Sequence, residues 1–286
     1  MVGSRLDSAL RFALLAWFFL ALACARQGPT PLQQATLLAD KGRHEEAEAL
    51  LRDHLVEHPD VIAERRLLIR VVALSGRMDL VEREVARLAQ RLKPNDPTPW
   101  IELGHAFELN HHYEQALEMF DRAAEHNPAD PAGPLTGGLR AARWGEVELA
   151  MPRLEEALRR DPSNAKAWHA LGLVRVHLRD PSGAKIAYES GLQANPKSIE
   201  NRIGLATLAF SLDQPEHALA QYDAILADRP DFADAHLGRS FALIKLGRLS
   251  DAREALDTGY RLGANPGVVA RQRALLDRLE ARRGPF

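Results

Sequence analysis

Small, large and helix-breaking residues return along this chain on one fixed period. Prolines stand 34 residues apart at Pro94, Pro128, Pro162, Pro196 and Pro230. Small residues keep step with them at Gly104, Gly138, Gly172, Ala206 and Ser240, and again at Ala116, Ala150, Ala184, Ala218 and Ala252. A large side chain follows each of the second set by four residues: Phe120, Leu154, Tyr188, Tyr222 and Leu256. A period between roughly 20 and 50 residues marks a repeat architecture. If each unit is two antiparallel helices, the small residues fall where the two cross and their backbones come close. The large residue fills the space beside that crossing, and the proline ends the second helix by pushing the residue before it out of the α region.

Counting Pro97 as position 1, the unit 97–130 places Trp100, Leu103, Gly104, Phe107, Ala116, Phe120, Ala123 and Pro128 at positions 4, 7, 8, 11, 20, 24, 27 and 32. This resembles the tetratricopeptide repeat, W-x2-L-G-x2-Y…A-x3-F…P. The frame extends upstream with Ala35, Ala47, Leu51 and Pro59 at positions 8, 20, 24 and 32 of a first unit. The second unit, starting at Ile62, is one residue longer, with Val81 at position 20, which predicts a wider crossing. The expected fold is all-α: an α-solenoid of about seven antiparallel helix pairs over residues 32–266. Residues 267–286 form a capping helix and tail, because 268–282 put apolar residues at helical spacing beneath a charged outer face.

The first residues read differently. Arg5 and Arg11 precede a twelve-residue apolar run, Phe12 to Ala23, which suits the core of a signal peptide better than a membrane span. The only cysteine, Cys24, follows at once. The arrangement resembles a bacterial lipobox, with Ala21 and Leu22 departing from its usual residues. The expectation is a lipoprotein-type signal at 1–23, a lipidated Cys24 with a short linker over 24–31, and an outer-membrane anchor facing the periplasm. A soluble periplasmic protein and an uncleaved anchor are the alternatives. About seven linker residues reach at most roughly 25 Å, so the first repeats and their partner are expected near the bilayer.

By resemblance to the family, the ligand groove is lined by first helices at positions 2, 5, 9, 12 and 13. These positions nominate Arg66, Arg70, Ile101, His105, Leu135, Leu139, His169, Leu173, Ile203, Phe210, Leu237 and Phe241 as partner-binding residues. The Lys/Asn carboxylate clamp of chaperone-binding relatives is absent. The expected ligand is an amphipathic or extended apolar segment carrying an acidic group, the latter for Arg66 and Arg70.

Chemistry is harder to find. A net charge of −2 gives no global argument for nucleic acid. His54 and His58 share a helix face but have no evident third ligand, and His111-His112 falls in a turn, so no metal and no cofactor are expected. No phosphate-cradling glycine loop, HExxH or nucleophile elbow occurs. Glutamates on second helices read as solvated faces. The expected function is therefore a non-catalytic scaffold of the cell envelope. It would bind a peptide segment or protein and help assemble a pilus/secretin or export complex, resembling the small tetratricopeptide lipoproteins of type IV pilus assembly. The alternative is a substrate-selecting regulatory subunit of an envelope enzyme, such as a cell-wall hydrolase, a glycosyltransferase or a polysaccharide export system.

Overall fold

A computed structural model describes residues 28–283. The signal segment, Cys24 and residues 25–27 of the proposed linker lie outside the described residues. Fifteen helices and no strands are present among the described residues. They are α1 (Pro31–Asp40), α2 (His44–Glu57), α3 (Ile62–Leu74), α4 (Met78–Ala89), α5 (Thr98–Leu109), α6 (Tyr113–His126), α7 (Ala132–Trp144), α8 (Val147–Arg160), α9 (Ala165–His177), α10 (Pro181–Ala194), α11 (Ile199–Ser211), α12 (Pro215–Asp228), α13 (Ala233–Lys245), α14 (Leu249–Arg261) and α15 (Pro266–Arg283). The packing divides the chain after Met119, inside α6, into two compact units.

Local chemistry explains where the helices start and stop. Thr30 caps α1 in a reciprocal box with Gln33, and Asn164, Asp180 and Ser198 each accept a hydrogen bond from the first turn of the helix they precede. The residue before Pro59, Pro162 and Pro196 has left the α region: His58 has φ −127° and ψ 67°, Asp161 −138° and 88°, and Asn195 −142° and 98°. Within each pair the turn needs one left-handed residue. Glycine fills that place at Gly42, Gly76, Gly145 and Gly247, whereas His111, Arg179 and Asp213 adopt it at φ 62°, 58° and 53°.

In residues 28–119 the core is aliphatic around the crossings. Ala35, Ala47, Ile69 and Val81 are fully buried, with Leu51, Leu68 and Leu88 packed among them. Residues 120–283 use the small-against-large scheme more strictly. Ala150, Ala184, Ala218 and Ala252 are fully buried, and Ser240 donates a 2.8 Å hydrogen bond to the Ala252 carbonyl across its pair. Tyr188 lies so close to both Gly172 and Gly204 that a Cβ on either would overlap its ring. Helix α15 seals the last pair, burying Val269 and Leu276 against α13 and α14, while Arg253 of α14 grips Asp277 and Glu280 at 2.7 and 2.6 Å.

Candidate functional site

In residues 120–283 the first helices of successive pairs lie side by side, α7 next to α9 and α9 next to α11. Their position-9 residues stand out. Leu139 on α7 is 37% exposed and Leu173 on α9 is 45% exposed, and Val176, one helical turn beyond Leu173, is 43% exposed. Large apolar side chains left in water at matching repeat positions form a surface that gains by being covered. Leu135, Ile203, Phe210 and Phe241 are half-buried beside it. Phe210 and Phe241 meet edge-to-face at 5.0 Å, tying α11 to α13.

His169 is half-buried with its ring 5.9 Å from that of Tyr188. Burial pushes its pKa below the ordinary value, against an opposing pull from Glu200. It is therefore a neutral ring at neutral pH. The same burial pushes the Tyr188 hydroxyl up to about 12.

Two nominated residues offer little to a ligand. Leu237 and Ile101 are both buried. For Leu237 the cause is α15, which packs its apolar side over α13 and donates a 3.3 Å hydrogen bond from Gln272 to the Leu237 carbonyl. Position 5 lies at the edge of the helix seam, so a residue there is only partly available at best.

The arginines of α3 come together, though not as free cations. Arg66 Nε donates to Glu102 Oε1 at 2.7 Å, and Arg70 reaches both oxygens of the same carboxylate at 3.0 and 3.1 Å. Glu102, on α5, is fully buried while both guanidinium groups stay about half exposed. Two positive charges meet one negative, which leaves a single unmatched charge at this end rather than an open arginine pair. The frame is supported by burial, since Ile69 is fully buried and Arg70 faces outward. His105, half-buried on α5, has Nδ1 3.4 Å from Glu108.

Not every glutamate belongs to a solvated face. Glu84, on second helix α4, is almost completely buried and accepts from Arg52, Arg65 and Arg87. Glu64 is buried too, 2.5 Å from His54 Nδ1. The signal for Glu102 was its distance from its partners: 36 and 32 residues, one repeat away.

Family models described as tetratricopeptide repeat match residues 135–199 and 209–278. Among curated proteins, the chain is 32% identical over 132 residues to the heat-shock protein cognate co-chaperone sgt12 of Aspergillus fumigatus, over 44% of this chain and 39% of that one. It is 31% identical over 153 residues to protein FlbA of Caulobacter vibrioides, over 53% of this chain and 25% of that one. The aligned part thus spans less than two-thirds of either relative. Solved structures agree in fold. YrrB, a repeat protein with an unusual peptide-binding site, superposes with a TM-score of 0.53 at 20% identity, over 66% of this chain and 97% of that one. The pilF protein of Pseudomonas aeruginosa gives 0.55 at 18% identity, over 74% and 98%.

Proposed function

Since the chain is a tetratricopeptide repeat protein, we propose that it is a non-catalytic scaffold of the bacterial cell envelope, holding a protein segment on the first-helix face of residues 120–283. The fold is that of a protein-interaction scaffold. The observation that carries the reading is the exposed apolar set of Leu139 and Leu173, at equivalent repeat positions on packed helices, with Val176 one turn beyond Leu173. Rigid helices hold these side chains in place, so little ordering entropy is lost when a partner covers them. An amphipathic helix or an extended apolar segment fits such a surface. The peptide-binding site of YrrB and the co-chaperone character of sgt12 are in keeping with this use.

The envelope location rests on residues 1–24: a basic start, an apolar run and one cysteine. Under this reading Cys24 carries the lipid, the protein sits on the outer membrane facing the periplasm, and its partner belongs to a pilus/secretin or export complex. The pilF likeness in fold is compatible with that assignment.

A photo-crosslinking residue at position 173 in intact cells tests the binding face, with position 186 on α10 as control, where Ile186 is 59% exposed. A discrete adduct with an envelope protein from 173 and none from 186 is expected. Adducts from both positions or neither would remove the proposed face. Labelled palmitate tests the anchor: incorporation lost in Cys24→Ala is expected, and an unlabelled wild type would overturn it.

A further inference from the structure

We propose that residues 28–119 hold a second binding site, a solvent-open pocket for a phosphate ester between α2, α3 and α4 and the turn that follows α4. The pocket has a volume of about 440 Å³ and is lined by four arginines, Arg52, Arg65, Arg87 and Arg91, with Glu84 as the only carboxylate in its wall. That volume falls in the range of small-molecule sites, roughly 300–1,000 Å³.

Charge accounting favours an anionic ligand. Glu84 accepts from Arg52 at 3.1 Å, Arg65 at 2.9 Å and Arg87 at 2.7 Å, so one carboxylate serves three guanidinium groups. Two other acids pair with the arginines of this region. Glu48 accepts from Arg52 at 2.9 Å and from Arg77, and Asp60 lies 2.7 Å from Arg91. Burial pushes the Glu48 carboxyl up, but the hydrogen bonds from Arg77 and Arg52 outweigh this and hold it below its usual value. Glu48 is thus held ionised at neutral pH. Five arginines against three carboxylates leave two positive charges, a match for a phosphate monoester of about −1.5 to −2.

A second observation points the same way. The Arg65 side chain is only 7% exposed, yet its buried Nε has no hydrogen-bond partner. Such a donor is costly to bury unpaired. Arg87 and Arg91 retain solvent access and have further N–H groups beyond those paired with Glu84 and Asp60. Guanidinium groups converging from several helices suit the oxygens of a phosphate. Beside Gln90, the wall carries apolar Leu55, Leu68 and Val56, the last 80% exposed. That wall fits an organic substituent better than a bare ion.

Soluble phosphate esters and phospholipid headgroups share this chemistry. The test uses the full chain carrying Cys24→Ala, so that no attached acyl chain can bring the protein to a membrane. Glycerol 3-phosphate is titrated by calorimetry, and flotation is measured with phosphatidylcholine vesicles with or without phosphatidic acid. The matched variant is Val56→Glu, which adds a negative charge at an exposed wall position, with circular dichroism to confirm its fold. Saturable binding of glycerol 3-phosphate, weakened at least ~10-fold by Val56→Glu, supports a soluble ester. Flotation only with phosphatidic acid, lost in Val56→Glu, supports a lipid headgroup. Binding of neither probe, or equal binding by a folded Val56→Glu chain, would overturn the site.

Discussion

The two units solve the same packing problem with different materials. Residues 28–119 bury three glutamates, Glu64, Glu84 and Glu102, and hold each with cationic or imidazole partners from another helix. Residues 120–283 rely on close fit, with Tyr188 and Tyr222 lying against glycines of their own and neighbouring pairs. Both family-model matches fall in this second unit. A buried ion pair is weak evidence for net stability but makes its partners hard to replace singly. A small-large fit makes its glycines hard to replace instead. The first unit is thus specialised through charge. The second follows the repeat closely and leaves Leu139, Leu173 and Val176 of its first helices exposed.

The largest effect should come from breaking the charge network. Glu84→Ala strands Arg65 without its carboxylate and is expected to cost about 3–5 kcal/mol. Chemical denaturation measures the loss, and hydrogen exchange should place it in 44–91; a cost below about 1 kcal/mol would mean that the network is slack. Gly172→Ala or Gly204→Ala drives a methyl into the Tyr188 ring and should cost about 1–3 kcal/mol, with protection lost in 165–211. Pairing either with Tyr188→Leu should restore part of that loss if the ring is the cause.

The next effect depends on pH. Burial lowers the His169 pKa in the folded chain, so between that value and the unfolded value near 6.5 the unfolded chain binds more protons. Stability contributed by the neutral ring is present above the unfolded pKa and is lost as pH falls through that window. Between pH 7.5 and 5.5 the wild type should lose more stability than His169→Gln, as read by melting temperature. Equal losses would show that His169 is not the titrating group. The smallest expected effect is a gain. Arg179 occupies a left-handed turn position that glycine fills elsewhere, so Arg179→Gly should stabilise by about 1 kcal/mol in thermal unfolding.

The helix pairs and the crossings were legible because they depend on residue size at a fixed spacing. Ala150, Ala184 and Tyr188 can be assigned without knowing anything outside their own unit. The charge network could not be read in that way. Arg66 and Arg70 look like free groove cations until Glu102, one repeat later, is seen to be buried between them. Leu237 looked exposed because its cover, α15, lies outside the repeat. His111, Arg179 and Asp213 hide a left-handed turn behind side chains that do not announce it. Local size patterns survive in one sequence, whereas pairings between units need coordinates.

The central claim is that the first-helix face of residues 120–283 grips a protein segment. Its most direct test takes the envelope protein crosslinked at position 173, purifies it, and measures its affinity for three versions of this chain by calorimetry. Leu139→Glu/Leu173→Glu should weaken binding by at least ~100-fold, because two apolar contacts of about 1.5–3 kcal/mol each are lost. Ile186→Glu should leave the affinity of the wild type unchanged. Equal affinity for wild type and the double variant, or a loss confined to Ile186→Glu, would contradict the account.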